Sequence, residues 1–227
     1  MQLPGVILMF NFDPIDHAGC LRKLGYLHIP GGCGENFLHK LEDFVKNIES
    51  DNPPETFSFL PQGDDHNAIL KSFEILTGND NLTISRHHIL HYRKEMPSYP
   101  HKDRRSLEYS CAIGIRSTID SRLLLWPSAP LNENMGVHWR DHVVAMGGQS
   151  EIERATRDNR PIEIATERGD VVFFPSSRMY HERTNPEGVI IYYIAINTYG
   201  IYDRSASRQE RADPGDAAPP PPQHILT

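Results

Sequence analysis

The spacing of apolar positions changes character about a third of the way along the chain. Leu38, Leu41, Val45 and Ile48 recur at intervals of three and four with charged residues between them, which predicts an amphipathic helix over Glu35–Ile48. Asp51 to Pro54 stops it. Ile69, Phe73 and Leu76 place a second helix over Ala68–Leu76, with Gly78 just past its end. Before these, Leu24 to Pro30 reads as a short strand ended by glycines 31, 32 and 34, after an irregular start.

From Leu82 the pattern changes from helix to strand. Strands are predicted at Thr83–Tyr92, at Ser106–Ile115 with Leu107, Tyr109, Cys111, Ile113 and Ile115 on one face, and at Arg122–Trp126. Val143–Met146 and Ile162–Ala165 are shorter candidates; Val171–Phe174 and Val189–Ile196 are rich in β-branched and aromatic residues. Many short strands after a helical pair predict a mainly β, α+β domain: a β-sandwich or barrel with helices packed on one side. The expected organisation is residues 1–80 as an N-terminal extension with supporting helices, 81–203 as the β core, and 204–227, with four consecutive prolines and little to bury, as a disordered tail.

Composition narrows the function classes. The formal charge of −7 argues against nucleic acid as an obligate partner. No segment reaches the roughly 18 apolar residues of a membrane span. Cys20, Cys33 and Cys111 are too few and too scattered for a disulfide framework or a zinc ribbon, so a reducing, cytoplasmic compartment is expected. The apolar run Val6–Phe10 has neither the basic flank nor the cleavage site of a signal peptide.

The candidate chemistry lies in His101-Lys102-Asp103 and His181. Side chains at i and i+2 share a strand face, so an imidazole and a carboxylate project together. A second imidazole from a distant strand completes a set of two histidines and one carboxylate that suits non-haem Fe(II) and leaves coordination positions open. His181 follows Gly169-Asp170-Val171-Val172-Phe173-Phe174-Pro175, a turn, a buried strand and a proline that ends it. An H-x-D with a later G-D-x-x-x-F-P…H resembles the double-stranded β-helix of the Fe(II)/2-oxoglutarate-dependent oxygenases. Tyr92 and Tyr99 ahead of His101 are similar to the run that precedes H-x-D in the prolyl-hydroxylase and phytanoyl-hydroxylase-like branch, and Leu24-Gly25-Tyr26-Leu27-His28-Ile29-Pro30-Gly31 looks like the start of many members.

The resemblance covers roughly residues 20–200. It implies that His101, Asp103 and His181 hold Fe(II), and that 2-oxoglutarate and O2 become succinate and CO2 as a substrate C–H bond is oxidised. Retention of Asp103 favours hydroxylation over halogenation, with desaturation or ring formation as alternatives. The size of the chain favours a small molecule, such as an amino acid or a biosynthetic intermediate, over a protein side chain.

The chain departs from the family in one respect. Members commonly neutralise the far carboxylate of 2-oxoglutarate with a basic residue about ten positions after the distal histidine, but no Lys or Arg occurs between Arg183 and Arg204. In asparaginyl-hydroxylase and JmjC-like members that residue precedes an aromatic-proline pair after H-x-D, and Ser121 to Pro127 resembles that arrangement. Arg122 is therefore the first candidate and Arg116 the second, with Tyr92 donating a hydroxyl to the same carboxylate. Arg183, Arg140, His88 and Asn197 are candidate substrate contacts, with Arg183 able to meet the co-substrate instead, and Tyr193 is another pocket candidate. His138 and His142 have the i, i+4 spacing of a zinc pair but lack a metalloprotease glutamate. Two rivals stand beside the oxygenase: a cupin-like metal enzyme that does not use 2-oxoglutarate, and a β-fold binding protein with a degenerate metal site.

Overall fold

A computed structural model describes residues 9–48, 56–61, 63–93, 99–103, 107–127 and 149–198. The expected strand at Val143–Met146, the residues His138, Arg140 and His142, and the tail 204–227 lie outside the described residues.

The helices α1 (Cys20–Leu24), α2 (Glu35–Ile48), α3 (Asp64–Thr77) and α4 (Gln149–Arg157) accompany nine strands. These are β1 (Leu27–Ile29), β2 (Thr56–Ser58), β3 (Leu82–His91), β4 (Tyr109–Arg116), β5 (Arg122–Trp126), β6 (Ile162–Ile164), β7 (Val171–Phe174), β8 (Tyr180–Thr184) and β9 (Ile190–Thr198). The six-stranded sheet has the order β1-β7-β4-β9-β3-β2, the three-stranded sheet β6-β5-β8, and every pairing is antiparallel. An isolated bridge between His101 and His181 adds the H-x-D segment to the edge of the smaller sheet. The chain therefore passes between the sheets: β3 large, His101 small, β4 large, β5 and β6 small, β7 large, β8 small, β9 large. That alternation is the double-stranded β-helix, a jelly-roll architecture.

The large sheet has two working faces because its side chains alternate. On one face Ile89, Cys111, Ile113, Phe173, Tyr192 and Ile194 join Phe37, Leu38, Leu41 and Val45 of α2 and Ile69, Phe73 and Leu76 of α3 in the main core. On the other, Val172 and Phe174 pack against Leu123, Leu125 and Ile164 of the smaller sheet. The first 80 residues supply α1, α2 and α3 and also both edge strands of the large sheet, β1 on β7 and β2 on β3. Each edge strand has only three residues, and very short edge strands limit unwanted pairing.

Several tight points fix the frame. A Cβ on Gly114 would lie 2.0 Å from the Glu167 carbonyl oxygen, so only glycine fits where the end of β4 meets the turn before β7. Asp170 holds that turn: its carboxylate accepts from the amides of Gly31 at 2.9 Å and Glu167 at 3.1 Å and contacts His28 Nε2 at 3.1 Å. The Gly-Asp pair of the motif thus ties β1 to β7 and has a structural task. The α4 helix has no counterpart among the elements expected from periodicity; of its described apolar side chains only Ile152 is buried, and its carbonyl at Thr156 accepts from Trp126 Nε1 at 3.2 Å.

Candidate metal centre

The bridge that joins His101 and His181 is reciprocal. Each backbone amide donates to the other's carbonyl, at 3.0 and 2.9 Å, so the two residues stand directly opposite each other. Their rings lie with centroids 4.3 Å apart. The Asp103 amide donates to the Ser176 carbonyl at 2.8 Å, which brings the carboxylate back beneath both rings.

Each imidazole is oriented the same way. His101 Nδ1 contacts the carbonyl of Tyr99 at 3.0 Å, and His181 Nδ1 contacts that of Met179 at 3.1 Å, in both cases two residues upstream. A carbonyl can only accept, so both Nδ1 atoms carry the proton and both Nε2 atoms keep a lone pair. Those two Nε2 atoms lie 3.9 and 3.8 Å from the same oxygen, Asp103 Oδ1. Two bonds of ~2.1 Å span such gaps, so one ion can take all three ligands.

The other carboxylate oxygen has different partners. Tyr193 donates a short hydrogen bond to Asp103 Oδ2. Ser110 Oγ lies 2.5 Å from the same Tyr193 hydroxyl and donates to Ser176 Oγ at 2.6 Å, and Ser176 donates to the Leu107 carbonyl at 2.8 Å. One oxygen is thereby held by the protein while the other faces the imidazoles.

Electrostatics agrees with this division. Burial alone would raise the Asp103 pKa, but His181, His101 and the hydrogen bond from Tyr193 together hold it below the usual carboxylate range. Burial, reinforced by His101, pushes His181 down to about 4, so it is neutral near pH 7, the form that binds a metal.

The triad opens into a cavity of about 230 Å³ between the sheets. Its walls include Leu90, Ala112 and Ile191 of the large sheet, Leu123 of the small one, and Phe174, whose ring meets His181 edge-on at 4.9 Å. Arg183 closes one end. It follows His181 by two residues, so it shares the inward face of β8. The residue is only 5% exposed; Nη2 donates to the Thr166 hydroxyl at 3.1 Å, and the guanidinium carbon lies 5.9 Å from the centre of the Tyr92 ring.

Neither a family model nor a curated protein matches the chain. Solved structures do. The epimerase SnoN from nogalamycin biosynthesis, in its complex with Fe3+, alpha ketoglutarate and nogalamycin RO, aligns over 92% of this chain and 94% of its own, with TM-score 0.59 and 14% identity.

The chain has the fold of the Fe(II)/2-oxoglutarate-dependent oxygenases.

Two more structures of that fold carry the same likeness. The alpha-ketoglutarate-dependent carbocyclase SnoK aligns over 87% of this chain and 91% of its own, with TM-score 0.55 and 16% identity. A prolyl-4-hydroxylase from Pseudomonas putida aligns over 86% and 98%, with TM-score 0.52 and 12% identity. The family resemblance read from H-x-D…H and the predicted double-stranded β-helix therefore hold at the level of the fold.

Within this oxygenase fold, the other candidate residues divide. His101, Asp103, His181, Tyr92, His88, Tyr193 and Arg183 all line the one cavity. Arg122 does not: its Nη1 donates to the hairpin carbonyls of Ile119 at 2.8 Å and Ser121 at 2.7 Å, away from the triad. Arg122 alternates with Leu123 and Leu125, and it is the leucines that point inward, so the guanidinium is on the wrong face for a co-substrate. Arg116 is also displaced. The register of β4 on β9 shifts between Gly114 and Arg116, which puts Arg116 opposite Ile190, a helix-side residue, and leaves it exposed. Asn197 shares the inward face of β9 with Tyr193 but sits beyond the cavity, opposite Thr83. Arg86, which sequence reasoning passed over, lines the cavity. Its signal was the i+2 row Arg86, His88, Leu90, Tyr92.

No helix among the described residues is long and apolar enough to cross a membrane, and Cys20, Cys33 and Cys111 are free thiols.

Proposed function

We propose that this protein is an Fe(II)- and 2-oxoglutarate-dependent oxygenase that oxidises a C–H bond of a small molecule, in the simplest case to an alcohol. The observation that carries the reading is the division of labour around Asp103. Two imidazoles, each tied at Nδ1, aim Nε2 at one carboxylate oxygen, while Tyr193 occupies the other. A structural His-Asp pair would use an N–H to meet the carboxylate; here both N–H groups are committed elsewhere, and the arrangement suits a cation.

His101, Asp103 and His181 would hold the metal. Iron bound there with 2-oxoglutarate and O2 supplies the two-electron oxidation of the substrate, with succinate and CO2 as co-products. Arg183 takes the role first assigned to Arg122 and Arg116. It is the buried guanidinium on the cavity wall, two residues from a metal ligand, with the Tyr92 hydroxyl group beside it to share a carboxylate. A buried carboxylate is tolerated only when paired and hydrogen-bonded, and an arginine fork with a phenol meets both needs. On this reading the lack of a basic residue on β9 does not argue against 2-oxoglutarate, because Arg183 on β8 would take its place. Leu90, Ala112, Leu123 and Ile191 give the cavity the apolar walls that exclude water around the reacting groups.

Small-molecule oxidation agrees with the limited cavity and with the neighbours: SnoN is described with nogalamycin RO bound. The test is 2-oxoglutarate-dependent O2 uptake and succinate formation by the Fe(II)-loaded protein, with His181→Ala as control. Uptake that requires 2-oxoglutarate and disappears in the variant is the expected result. Equal uptake by both proteins, or uptake indifferent to 2-oxoglutarate, would contradict the proposal.

A further inference from the structure

The cavity has an arginine at each end. Along β3 the residues Arg86, His88, Leu90 and Tyr92 form one row that lines it, from exposed Arg86 to Tyr92 beside Arg183. A register slip puts Arg86 in that row. Leu82 and Ile84 pack on the helix side of the sheet, and unbroken alternation would send Arg86 the same way. Between Ile84 and Arg86 the pairing shifts, so that Ile84 faces Ile196 and Arg86 faces Ala195 with Ser85 as the extra residue. Beyond the slip, Ile89 is the helix-side residue and Arg86 turns to the cavity. Bulges of this kind re-aim side chains and are concentrated next to active sites.

Charge says what Arg86 is for, on the oxygenase reading above. The two charges of Fe(II) and that of Arg183 meet the Asp103 carboxylate and the two carboxylates of 2-oxoglutarate. Lys102, also on the lining, has its ammonium 4.3 Å from the centre of the Tyr180 ring. Arg86, like Lys102, adds a positive charge beyond that balance, and of the two it is Arg86 that is exposed and stands in the β3 row. His88 does not duplicate it, since burial and then Arg86 itself push this imidazole down to about 4 and leave it a neutral hydrogen-bonding group. The His88 ring lies 5.1 Å from that of Tyr193, which holds Asp103, and Arg86 lies one row, about 6.6 Å, further towards solvent.

We propose that Arg86 anchors an anionic group of the molecule to be oxidised, a carboxylate or phosphate ester, with His88 beside it and the reacting carbon next to the metal centre. The two arginines divide the two reactants: buried Arg183 takes the co-substrate and exposed Arg86 takes the substrate.

The test is saturation-transfer NMR on Zn(II)-loaded protein saturated with 2-oxoglutarate, with phenylacetate and phenylacetamide as matched probes. Phenylacetate should bind at least about tenfold more tightly, as expected for a charge-assisted hydrogen bond. Arg86→Met should abolish the preference and leave 2-oxoglutarate affinity unchanged, whereas Arg122→Met should change neither. Equal binding of the two probes, or a preference that survives Arg86→Met, would overturn the assignment. Loss of 2-oxoglutarate binding in Arg86→Met would overturn it too, by making Arg86 the partner of the co-substrate. Failure of the wild-type protein to bind 2-oxoglutarate at all would instead remove the oxygenase reading on which the inference rests.

Discussion

Tyr192 and Tyr193 are neighbours on β9 and belong to different parts of the molecule. Tyr192 faces the helices, where its ring is 5.9 Å from Phe37 and its hydroxyl donates to the Phe59 carbonyl at 3.3 Å. Tyr193 faces the smaller sheet, where its hydroxyl donates to Asp103 and also meets Ser110. Strand alternation alone separates them. The helix-side face is a continuous apolar core. The cavity-side face is interrupted by Arg86, His88, Tyr92 and Tyr193, with small Ala112 leaving space. Burial of the first face stabilises the sheet that presents the second. The polar face can therefore carry groups that are poor for packing, because its frame is fixed elsewhere.

The contrast is open to test from both sides. The largest effect should come from the ligands: His101→Ala, Asp103→Ala or His181→Ala is expected to abolish stoichiometric Fe(II) binding, measured by metal analysis, while denaturant unfolding stays cooperative. Wild-type metal content in any of them would remove that residue from the centre. On the opposite face, Phe173→Ala should cost about 3–5 kcal/mol in denaturant unfolding, as large-to-small changes in packed cores do, with Fe(II) affinity of the folded protein unchanged. Arg183→Met should weaken 2-oxoglutarate by about 2–5 kcal/mol, the range for breaking a buried charge pair, and Arg122→Met should leave it alone.

Acid should act through the cavity face. The folded pKa of His181 is depressed, to about 4, so its contribution to stability is fully present above the unfolded value near 6.5 and is lost as pH falls from there towards 4. For the metal-free protein this loss is ~3 kcal/mol from His181, with His88 acting in the same direction. Thermal unfolding as a function of pH should show the decline, and His181→Gln should flatten part of it. The smallest and most discriminating effect is on the tyrosine pair. Tyr193→Phe should weaken Fe(II) binding by about 10–100-fold, as loss of an outer hydrogen bond to a ligand does, and Tyr192→Phe should not change it. Equal behaviour of the two variants would erase the distinction between the faces.

Much of this was readable from the residues. The short apolar runs Arg122–Trp126 and Val171–Phe174 match β5 and β7 end to end, and the helix expected at Glu35–Ile48 matches α2. Burial leaves its mark in the sequence in two ways: β7 is apolar throughout because all four of its residues are buried, and α2 is amphipathic because one face is. The H-x-D and the distal histidine could be read because chemistry restricts both residue type and spacing. The arginine proposed for the co-substrate was less accessible. Arg122 and Arg183 both sit on strands, and nothing local says which face of β5 turns inward; that is set by pairing with β8, where Leu123 meets Arg183 and Leu125 meets His181. Arg86 was legible from one side only. It alternates in step with His88 and Tyr92, but counting forward from Leu82 and Ile84 puts it on the opposite face, because the bulge appears only in the pairing of β3 with β9.

The most direct test of the central claim is an anaerobic titration of the Fe(II)-loaded protein with 2-oxoglutarate, monitored for the weak visible charge-transfer band of bidentate keto-acid chelation. A saturable band in the wild-type protein, shifted to higher 2-oxoglutarate in Arg183→Met and absent in His181→Ala, is the expected result. Bound iron with no band at any concentration would contradict the assignment of this cavity to 2-oxoglutarate.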